Sequence, residues 1–402
     1  MNDNNLIFAL EIGTDKMLAL VGEISAKDKI NILSLGKAGS KKSVKKADIV
    51  DVSAAANLAQ TAISRAEKEC GASPKELYLA VSGSKIAGMQ SIGSASASGI
   101  DSAVRAEDLE RAKNDAKSKT IPENRSYIHR FCCGYFLDGA PCPDPVGKKG
   151  SVVEAEYWLM HGDDESISTA MQAVQSFGMN VEQIMHSAIA SAYAVTSERQ
   201  RADGVLVVDI GRGATDYAYI VGNRMRQAGT IPVGGDHISN DISLGLQISF
   251  PNAERLKLEC GKTILTEEER AQNIWLNGDK AIGDKAVSYL SLNKIICARI
   301  EELFTILRRE LEPQSSRIPI REIVLTGGVA YTQGIDIVAQ TIFNAPCSLG
   351  EFRPWIKDSL CRHEYSTAIG LLIKAAEDFD SRKGRQSQRW GLGAISKFWK
   401  GK

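Results

Sequence analysis

The sequence has few features of a disulfide-stabilised or metal-binding protein. Its eight cysteines contain no C-x-x-C pair and no regular spacing, which excludes a disulfide or zinc framework and predicts reduced thiols. The five histidines are scattered singly and form no metal-binding pattern. No Ser, His and Asp constellation can be placed, so nucleophilic catalysis has no support.

Features of membrane insertion and secretion are also missing. No apolar run approaches the roughly 18 residues that a spanning helix requires. The first residues, MNDNNLIFALEIG, have no basic region and only a short apolar run, so they do not resemble a signal peptide. We therefore expect a cytosolic compartment and, at most, peripheral contact with a membrane.

Charge is balanced overall but unevenly placed. The 402 residues contain 49 basic and 49 acidic side chains, and seven of the basic ones lie in residues 382–402, which contain no acid. The rest of the chain is therefore acidic, with 42 basic against 49 acidic residues. Because nucleic-acid binding needs a basic surface that displaces phosphate counterions, the acidic body argues against a nucleic-acid partner. The length and the 43% hydrophobic content allow two or more domains with a sizeable core.

A strand, glycine turn, strand pattern occurs twice, nearly two hundred residues apart. EIG at 11–13 matches DIG at 209–211, and LVGE at 20–23 matches IVGN at 220–223. This distance is far beyond the period of a solenoid, so the repeated unit is a whole domain. Strands that alternate with helices around these turns predict an α/β protein with two related halves.

Changes in composition and hydrophobic pattern along the chain predict further divisions. They are a first half at 1–83, an inserted subdomain at 84–174, a core segment with the second glycine turn at 175–235, a small subdomain at 236–294, the rest of the core at 295–380, a polar linker at 381–388 and a terminal amphipathic helix at 389–402.

The glycine turns have the chemistry of phosphate-binding loops. Without a β-carbon the backbone approaches an anion closely, and a carboxylate at the strand end can hold the water shell of a magnesium ion. A single turn such as DIGRG is as consistent with a plain hairpin, but two facing copies can hold one polyphosphate from both sides. Two other patterns are ambiguous: LTGG at 325–328 is equally consistent with a simple helix start, and ERLK at 254–257 with a surface ion pair.

The last fourteen residues, RWGLGAISKFWKGK, have the pattern of an interfacial helix. Aromatic and aliphatic residues sweep one side of a helical wheel and lysines occupy the other, as in helices that lie on anionic lipid. The residues that would contact the membrane are Trp390, Leu392, Ile395, Lys397, Phe398, Trp399 and Lys400. The alternative is a terminal helix that docks on the protein's own core. Such a helix would not need seven neighbouring cations, so the pattern favours the membrane.

Seven stretches, in this order along the chain, carry a family resemblance: ALEIGTDKMLALVGEI, ELYLAVSG, DPVGKKG, VVDIGRGATDYA, IPVGGDHISNDIS, IVLTGG and EYSTAIGLL. Their order resembles the actin, DnaK-type chaperone and sugar-kinase superfamily, and within it the FtsA family of bacterial actin homologues. The resemblance implies an actin-like ATPase fold, with two duplicated halves around a nucleotide cleft, an inserted subdomain of the FtsA type and a C-terminal amphipathic helix.

The resemblance also implies ATP with Mg²⁺ in the cleft. The implied contacts are Glu11, Gly13, Thr14 and Lys16 from the first loop, Asp209, Gly211, Arg212, Gly213 and Thr215 from the second, Gly234, Gly235 and Asp236 over the phosphate end, Glu254 and Lys257 at the ribose, and Gly327 and Gly328 under the adenine. Asp209 would hold Mg²⁺ through water.

Two positions depart from the superfamily pattern. Arg212 stands where the family usually has glycine, and its side chain would either crowd a phosphate or bind it. Ser187 aligns with the Gln or Glu that holds the attacking water, and serine is a poor base for this purpose. We therefore expect slow or negligible ATP hydrolysis.

The function implied by the resemblance is a filament-forming adaptor of cell division. It would tether the FtsZ ring to the cytoplasmic face of the inner membrane, with the small subdomain at 236–294 binding the C-terminal peptide of FtsZ. Anionic lipid, other copies of the chain and further division proteins would be its partners. The alternatives are a PilM-like adaptor of pilus assembly, which commonly lacks such a tail, and a superfamily kinase or phosphatase, for which no catalytic carboxylate is evident.

Overall fold

The first half of the chain forms a sheet around the first glycine turn. The computed structural model describes residues 5–26, 29–40, 42–73, 76–276, 285–315 and 318–386. The elements of this part are β1 (Leu6–Ile12), β2 (Lys16–Ala26), β3 (Lys29–Gly39), β4 (Val44–Lys45), β5 (Asp48–Ile49), α1 (Val52–Cys70) and β6 (Glu76–Val81). Helix α1 begins at the Asp51 cap, whose carboxylate accepts the Ala54 N–H, and ends at Gly71 in the left-handed conformation.

An inserted subdomain follows β6. It contains β7 (Ile86–Ser96), α2 (Ala106–Lys117), β8 (Arg125–Leu137), β9 (Ala140–Pro141) and β10 (Val152–Asp163), and its sheet has the order β7-β10-β8-β9. Leu109 and Ala112 of α2 pack against Leu159 and Ala155 of β10 to form a small separate core. The insertion also touches the second half, where Trp158 Nε1 donates to Ala228 O at 3.0 Å.

The chain then returns to the first sheet through α3 (Asp164–Gln175), β11 (Asn180–His186), α4 (Ser187–Val195) and α5 (Glu198–Asp203). The first sheet has the order β11-β6-β1-β2-β3. The expected end of the insertion at residue 174 is too late, because α3 packs against α1 and its Val174 lies in the core of the first half. The insertion ends with β10.

The second half contains the remaining elements. They are β12 (Val205–Ile210), β13 (Thr215–Val221), β14 (Arg224–Ile231), α6 (Gly235–Leu246), α7 (Phe250–Cys260), α8 (Glu267–Arg270), β15 (Asn273–Leu276), β16 (Lys285–Ser288), α9 (Tyr289–Ser315), β17 (Glu322–Thr326), α10 (Ile335–Phe343), β18 (Cys347–Leu349) and α11 (Ser366–Gln386).

The two large sheets are equivalent, which confirms the prediction of two duplicated halves. The second sheet has the order β14-β13-β12-β17-β18. In each sheet the first strand pairs antiparallel with the second and the second antiparallel with the third, while the two further strands add in parallel. Strand β12, VLVVDI, is buried along its whole length, as expected of a strand covered on both faces.

Two helices close the core behind the cleft. Helix α4 is apolar nearly all round and packs along α11. A β-carbon added at Gly370 of α11 would lie 1.7 Å from the Ala190 carbonyl oxygen of α4, so glycine is required for this close approach. The two helices therefore pack in close backbone contact behind the cleft.

Helix α11 is longer than expected. The polar linker predicted from residue 381 is helical as far as Gln386, because Arg, Lys and Gln have a high helix propensity. The predicted membrane residues, 390–400, lie outside the described residues. Among the described helices, none is both long and apolar enough to cross a bilayer.

Candidate functional site

The two glycine turns face each other across a cleft between the halves. A cavity of about 420 Å³ lies there and is lined by both turns, by the start of α6, by α7 and by the turn after β17. Its volume is within the range of pockets that hold small molecules and cofactors, about 300 to 1,000 Å³. The cleft is therefore the candidate binding site.

The first turn is held tightly by its own backbone. Gly13 N donates to Lys16 O at 2.9 Å, and an added β-carbon at Gly13 would lie 2.9 Å from the same oxygen. Thr14 Oγ1 accepts a hydrogen bond from Ala47 N at 2.9 Å. Gly13, Thr14 and Lys16, the phosphate contacts that the resemblance implies for this turn, all line the cavity.

The second turn is joined to the N-terminus of α6. Gly235 N donates to Gly211 O at 3.0 Å, and Asp236 N donates to Arg212 O at 2.8 Å. A β-carbon at Gly234 would lie 2.6 Å from Gly211 O, so this approach depends on glycine. Gly211, Gly213 and Gly235 line the cavity.

Three predicted phosphate contacts do not line the cavity. Thr215 is fully buried, and its hydroxyl donates to Val233 O at 2.7 Å. Gly234 is packed under the second turn, and Asp236 is ion-paired with Arg212. These three residues support the loop and α6, and the cavity wall is formed by their neighbours.

Arg212 lines the cavity, and its guanidinium is engaged by two carboxylates. Its Nη1 donates to Asp15 Oδ1 at 2.9 Å, and its Nε donates to Asp236 Oδ1 at 2.8 Å. The guanidinium thus links the first turn, the second turn and α6. The two carboxylates hold the pKa of Arg212 above its usual value against the effect of burial.

Three carboxylates converge at the floor of the cavity. Burial raises the pKa of Glu11 to about 7, and those of Asp209 and Asp216 to about 6. Asp209 accepts hydrogen bonds from Ser191 and Thr367, whereas Glu11 Oε2 is buried with no hydrogen-bond partner. An unpartnered buried carboxylate oxygen is costly unless a cation, water or ligand meets it.

Lys16 is the buried cation of this floor. Only 8% of its surface is exposed, and its charge opposes the rise in the pKa of both Glu11 and Asp209. Among the described residues, no cluster of three or more metal-ligating side chains is arranged to hold a metal ion directly. The carboxylate oxygens of Glu11 and Asp209 fit a magnesium ion that keeps its water shell.

The E-x-x-K pair proves to be part of the cleft wall. Lys257 Nζ lies 2.7 Å from Glu254 Oε2 and donates to Gly235 O at 3.0 Å and to Ser239 Oγ at 2.9 Å. Only 9% of the Lys257 side chain is exposed, so the alternative of a surface ion pair is excluded. Both residues line the cavity.

The turn after β17 forms another part of the cavity wall. Gly327 has φ +86°, and a β-carbon there would lie 2.5 Å from Asp209 Oδ1. Gly328 has open space around its α-carbon. The Tyr331 and His363 rings lie beside this turn, 5.2 Å apart between centroids and tilted by 60°, and they give the site an aromatic wall.

The sequence did not indicate several cavity residues. They are Asp15, Lys37, Ser82, Asp216, Leu258, Tyr331, Thr332, Arg362, His363, Glu364 and Thr367. Five of them lie within the stretches that carry the family resemblance, although none was singled out there: Asp15, Ser82, Asp216, Glu364 and Thr367. Ser187 lines the cavity as expected, with its hydroxyl donating to Val81 O at 3.3 Å. The expected slow hydrolysis stays a prediction.

Two equivalent sheets around a cleft with paired glycine turns define the actin-like fold. Solved structures with this fold match nearly the whole chain. The PilM-PilN type IV pilus biogenesis complex has a TM-score of 0.62 at 15% identity, covering 92% of this chain and 98% of that one. MreB5 of Spiroplasma citri bound to ADP has a TM-score of 0.53 at 16% identity, and the match covers 96% of this chain and 100% of that one. At such identities the likeness establishes the fold alone.

Sequence similarity establishes the family. The family described as "Cell division protein FtsA" matches residues 206–370, and "SHS2 domain inserted in FTSA" matches residues 83–161. The FtsA of Neisseria meningitidis serogroup B is 30% identical over 379 residues, 92% of this chain and 90% of that protein. The FtsA of Escherichia coli K12 is 28% identical over 381 residues, which cover 92% of this chain and 90% of that protein. The chain belongs to the FtsA family of cell division proteins.

Proposed function

We propose that the protein is an ATP-binding division adaptor that tethers the FtsZ ring to the cytoplasmic face of the inner membrane. The observation that carries the nucleotide part is the pair of facing glycine turns with Glu11 Oε2 buried and unpartnered between them. Glycine lets the backbone of both turns approach a polyphosphate closely from two sides, and the dipole of α6 favours an anion near its N-terminus. Glu11 and Asp209 would hold hydrated Mg²⁺, which neutralises phosphate charge when bound.

The nucleoside would lie between α7 and the turn after β17. Glu254 and Lys257 are suited to the ribose, because each offers a polar group at the cavity wall. Gly328, with no side chain above it, leaves a flat surface for the adenine beside Tyr331. Since residue 187 is a serine, ATP would act mainly as a structural ligand that holds the halves together.

The small subdomain is the proposed site for the C-terminal peptide of FtsZ. It exposes large apolar side chains, with Trp275 of β15 at 75% and Leu244 of α6 at 70% exposure. Isolated apolar residues of this size on a surface are suited to anchoring a peptide. Further division proteins and self-association complete the proposed partner set, and the fold that the chain shares with the MamK double helical filament supports the latter.

The membrane anchor is proposed from the sequence of residues 389–402. One short amphipathic helix binds lipid reversibly. A filament presents many such helices in a row, so that each later insertion becomes effectively intramolecular and the attachment becomes firm. Polymerisation and membrane attachment therefore reinforce each other.

Co-pelleting with anionic liposomes, FtsZ and Mg·ATP, each omitted in turn, tests the whole proposal. We expect the protein to carry FtsZ to the lipid fraction and Trp390→Glu to abolish this. Gln388→Glu introduces the same charge outside the wheel's apolar face and should leave flotation unchanged. Flotation of Trp390→Glu at the level of the unchanged protein would refute the anchor.

Calorimetry with Mg·ATP tests the cleft directly. A β-carbon added at Gly328 meets no protein atom within 4 Å, so we expect Gly328→Leu to fold normally but to fill the adenine position and weaken ATP binding by about tenfold or more. Gly39→Leu is the matched control, because Gly39 also has open space but lies outside the cavity lining. Failure of the unchanged protein to bind adenine nucleotides would refute the nucleotide part.

A further inference from the structure

A short hairpin between β3 and α1 has an unusual backbone at its tip. β4 and β5 are joined by a two-residue turn, Lys46 and Ala47, in which both residues have positive φ, 50° and 65°. Turns of this kind favour Asn and Gly, because a β-carbon in the left-handed region costs roughly 1–2 kcal/mol per residue. A backbone held in such a conformation must be stabilised by its surroundings.

The surroundings of the tip are the two glycine turns of the cleft. Ala47 N donates to Thr14 Oγ1 of the first turn at 2.9 Å. A β-carbon added at Gly213 of the second turn would lie 2.9 Å from both the backbone nitrogen and the α-carbon of Lys46. The tip therefore contacts both turns at the phosphate end of the cleft, and Ala47 lines the cavity.

The hairpin is held in place from its other side. Asp48 accepts a hydrogen bond from Ser84 Oγ at the start of the insertion. Ser43 Oγ donates to Ser40 O at 2.6 Å, and Val50 N donates to Ser43 O at 2.8 Å. These contacts hold the hairpin tip against the turns, so the backbone from which the Lys46 side chain extends has a defined position.

The charges around the tip leave a place for a cation. Arg212 is already shared between Asp15 and Asp236, so this group of three has a net charge of −1. Lys46 is exposed and has no ion-pair partner within the described part of the chain. Its ammonium is close enough to His237 to lower the pKa of that ring further, in addition to the larger effect of burial.

We propose that Lys46 is a binding residue for the terminal phosphate of a nucleoside triphosphate and is presented to it by the hairpin β4–β5. The inference rests on the proposed binding of ATP in the cleft. A compact ammonium acts on phosphate as a point charge. Because the tip lies at the mouth between both turns, it meets the terminal phosphate and not the nucleoside, and it makes the site prefer triphosphate over diphosphate.

Titration calorimetry of the full chain with Mg·ATP and Mg·ADP tests this role. For Lys46→Ala we expect ATP affinity to fall about tenfold and ADP affinity to change by less than about threefold. Lys46→Arg keeps the charge and should retain most of the preference for ATP. Lys45→Ala, one residue away on the same hairpin, removes the same charge and should leave the ratio of the two affinities unchanged.

The outcomes separate this inference from the proposed function. If the unchanged protein binds neither nucleotide, the proposed nucleotide site itself is wrong. If it binds both, and Lys46→Ala changes ATP and ADP affinity equally or not at all, only the role of Lys46 is overturned. Equal unfolding curves of Lys46→Ala and the unchanged protein without nucleotide would show that any loss of binding is not a loss of fold.

Discussion

Arg212 Nη1 in the second half donates to Asp15 Oδ1 in the first half at 2.9 Å, across 197 positions of sequence. The same guanidinium donates to Asp236 at the start of α6. A side chain that interrupts a glycine loop thus connects the two halves at the mouth of the cleft. Its position there would let it respond to whether the halves are closed.

We expect a measurable but small coupling between Arg212 and Asp15. All three side chains of the network are at least a third exposed, so solvent screens the pair and the coupling should be about 0.5–1 kcal/mol. Urea unfolding of Arg212→Ala, Asp15→Ala and the double variant, without nucleotide, measures it. Additive effects of the two substitutions would show that the contact contributes nothing to the closed cleft.

The buried Glu11 should make the nucleotide-free protein less stable as pH rises. Its pKa is about 7 in the folded protein against an ordinary value of 4.5, so the unfolded carboxyl ionises first. The free energy of unfolding should then fall between about pH 4.5 and 7 and level off above, by about 3 kcal/mol from this group. Asp209 and Asp216 act in the same direction.

Glu11→Gln isolates this effect. Because glutamine keeps the shape but does not ionise, the variant should be more stable than the unchanged protein at pH 8 and nearly equal to it at pH 4.5, in urea unfolding at both pH values. Glu123→Gln, at an exposed loop position, should show no such pH-dependent difference. A variant that loses stability at pH 8 would contradict the assignment of Glu11 as an uncompensated carboxylate.

Trp275 should carry much of the affinity for the FtsZ peptide. Truncation of an exposed aromatic anchor at an interface commonly costs at least about 1–2 kcal/mol, so Trp275→Ala should weaken binding about tenfold. Fluorescence anisotropy of a labelled peptide measures this. Ile100→Ala on the insertion, where Ile100 is 83% exposed, serves as control. Equal weakening by both substitutions would argue against the small subdomain as the docking site.

Gly370→Ala should strongly destabilise the protein although alanine is the better helix former. The added methyl carbon would lie 1.7 Å from Ala190 O, a backbone atom of a fully packed helix that has little room to move. We expect a loss of about 3 kcal/mol from overpacking, against a gain of about 1 kcal/mol in helix propensity. Thermal unfolding gives the sign: an increase in Tm would mean that α4 and α11 can separate freely.

Local patterns predicted most of the fold. EIG and DIG each end a buried strand and turn through glycine, and neighbours in sequence decide this, so the duplicated halves could be predicted. The sixteen ligand contacts came from the family resemblance; thirteen of these residues line the cavity, and their contact with a ligand stays a prediction. The predictions were wrong at two boundaries, the end of the insertion and the end of the last helix, because packing between distant segments decides them. Helix α3 joined the first core instead of the insertion, and α11 continued past residue 381.

The sequence by itself determined the α/β class, the two glycine turns and the resemblance to the FtsA family, because strand periodicity and turn chemistry are local properties. Only the tertiary structure decided that Arg212 pairs with Asp15, that Asp216 joins Glu11 and Asp209, and that the Lys46 turn meets both loops. The physical reason is that these contacts join residues far apart in the chain. Their energies depend on how the two halves pack, which no local pattern encodes.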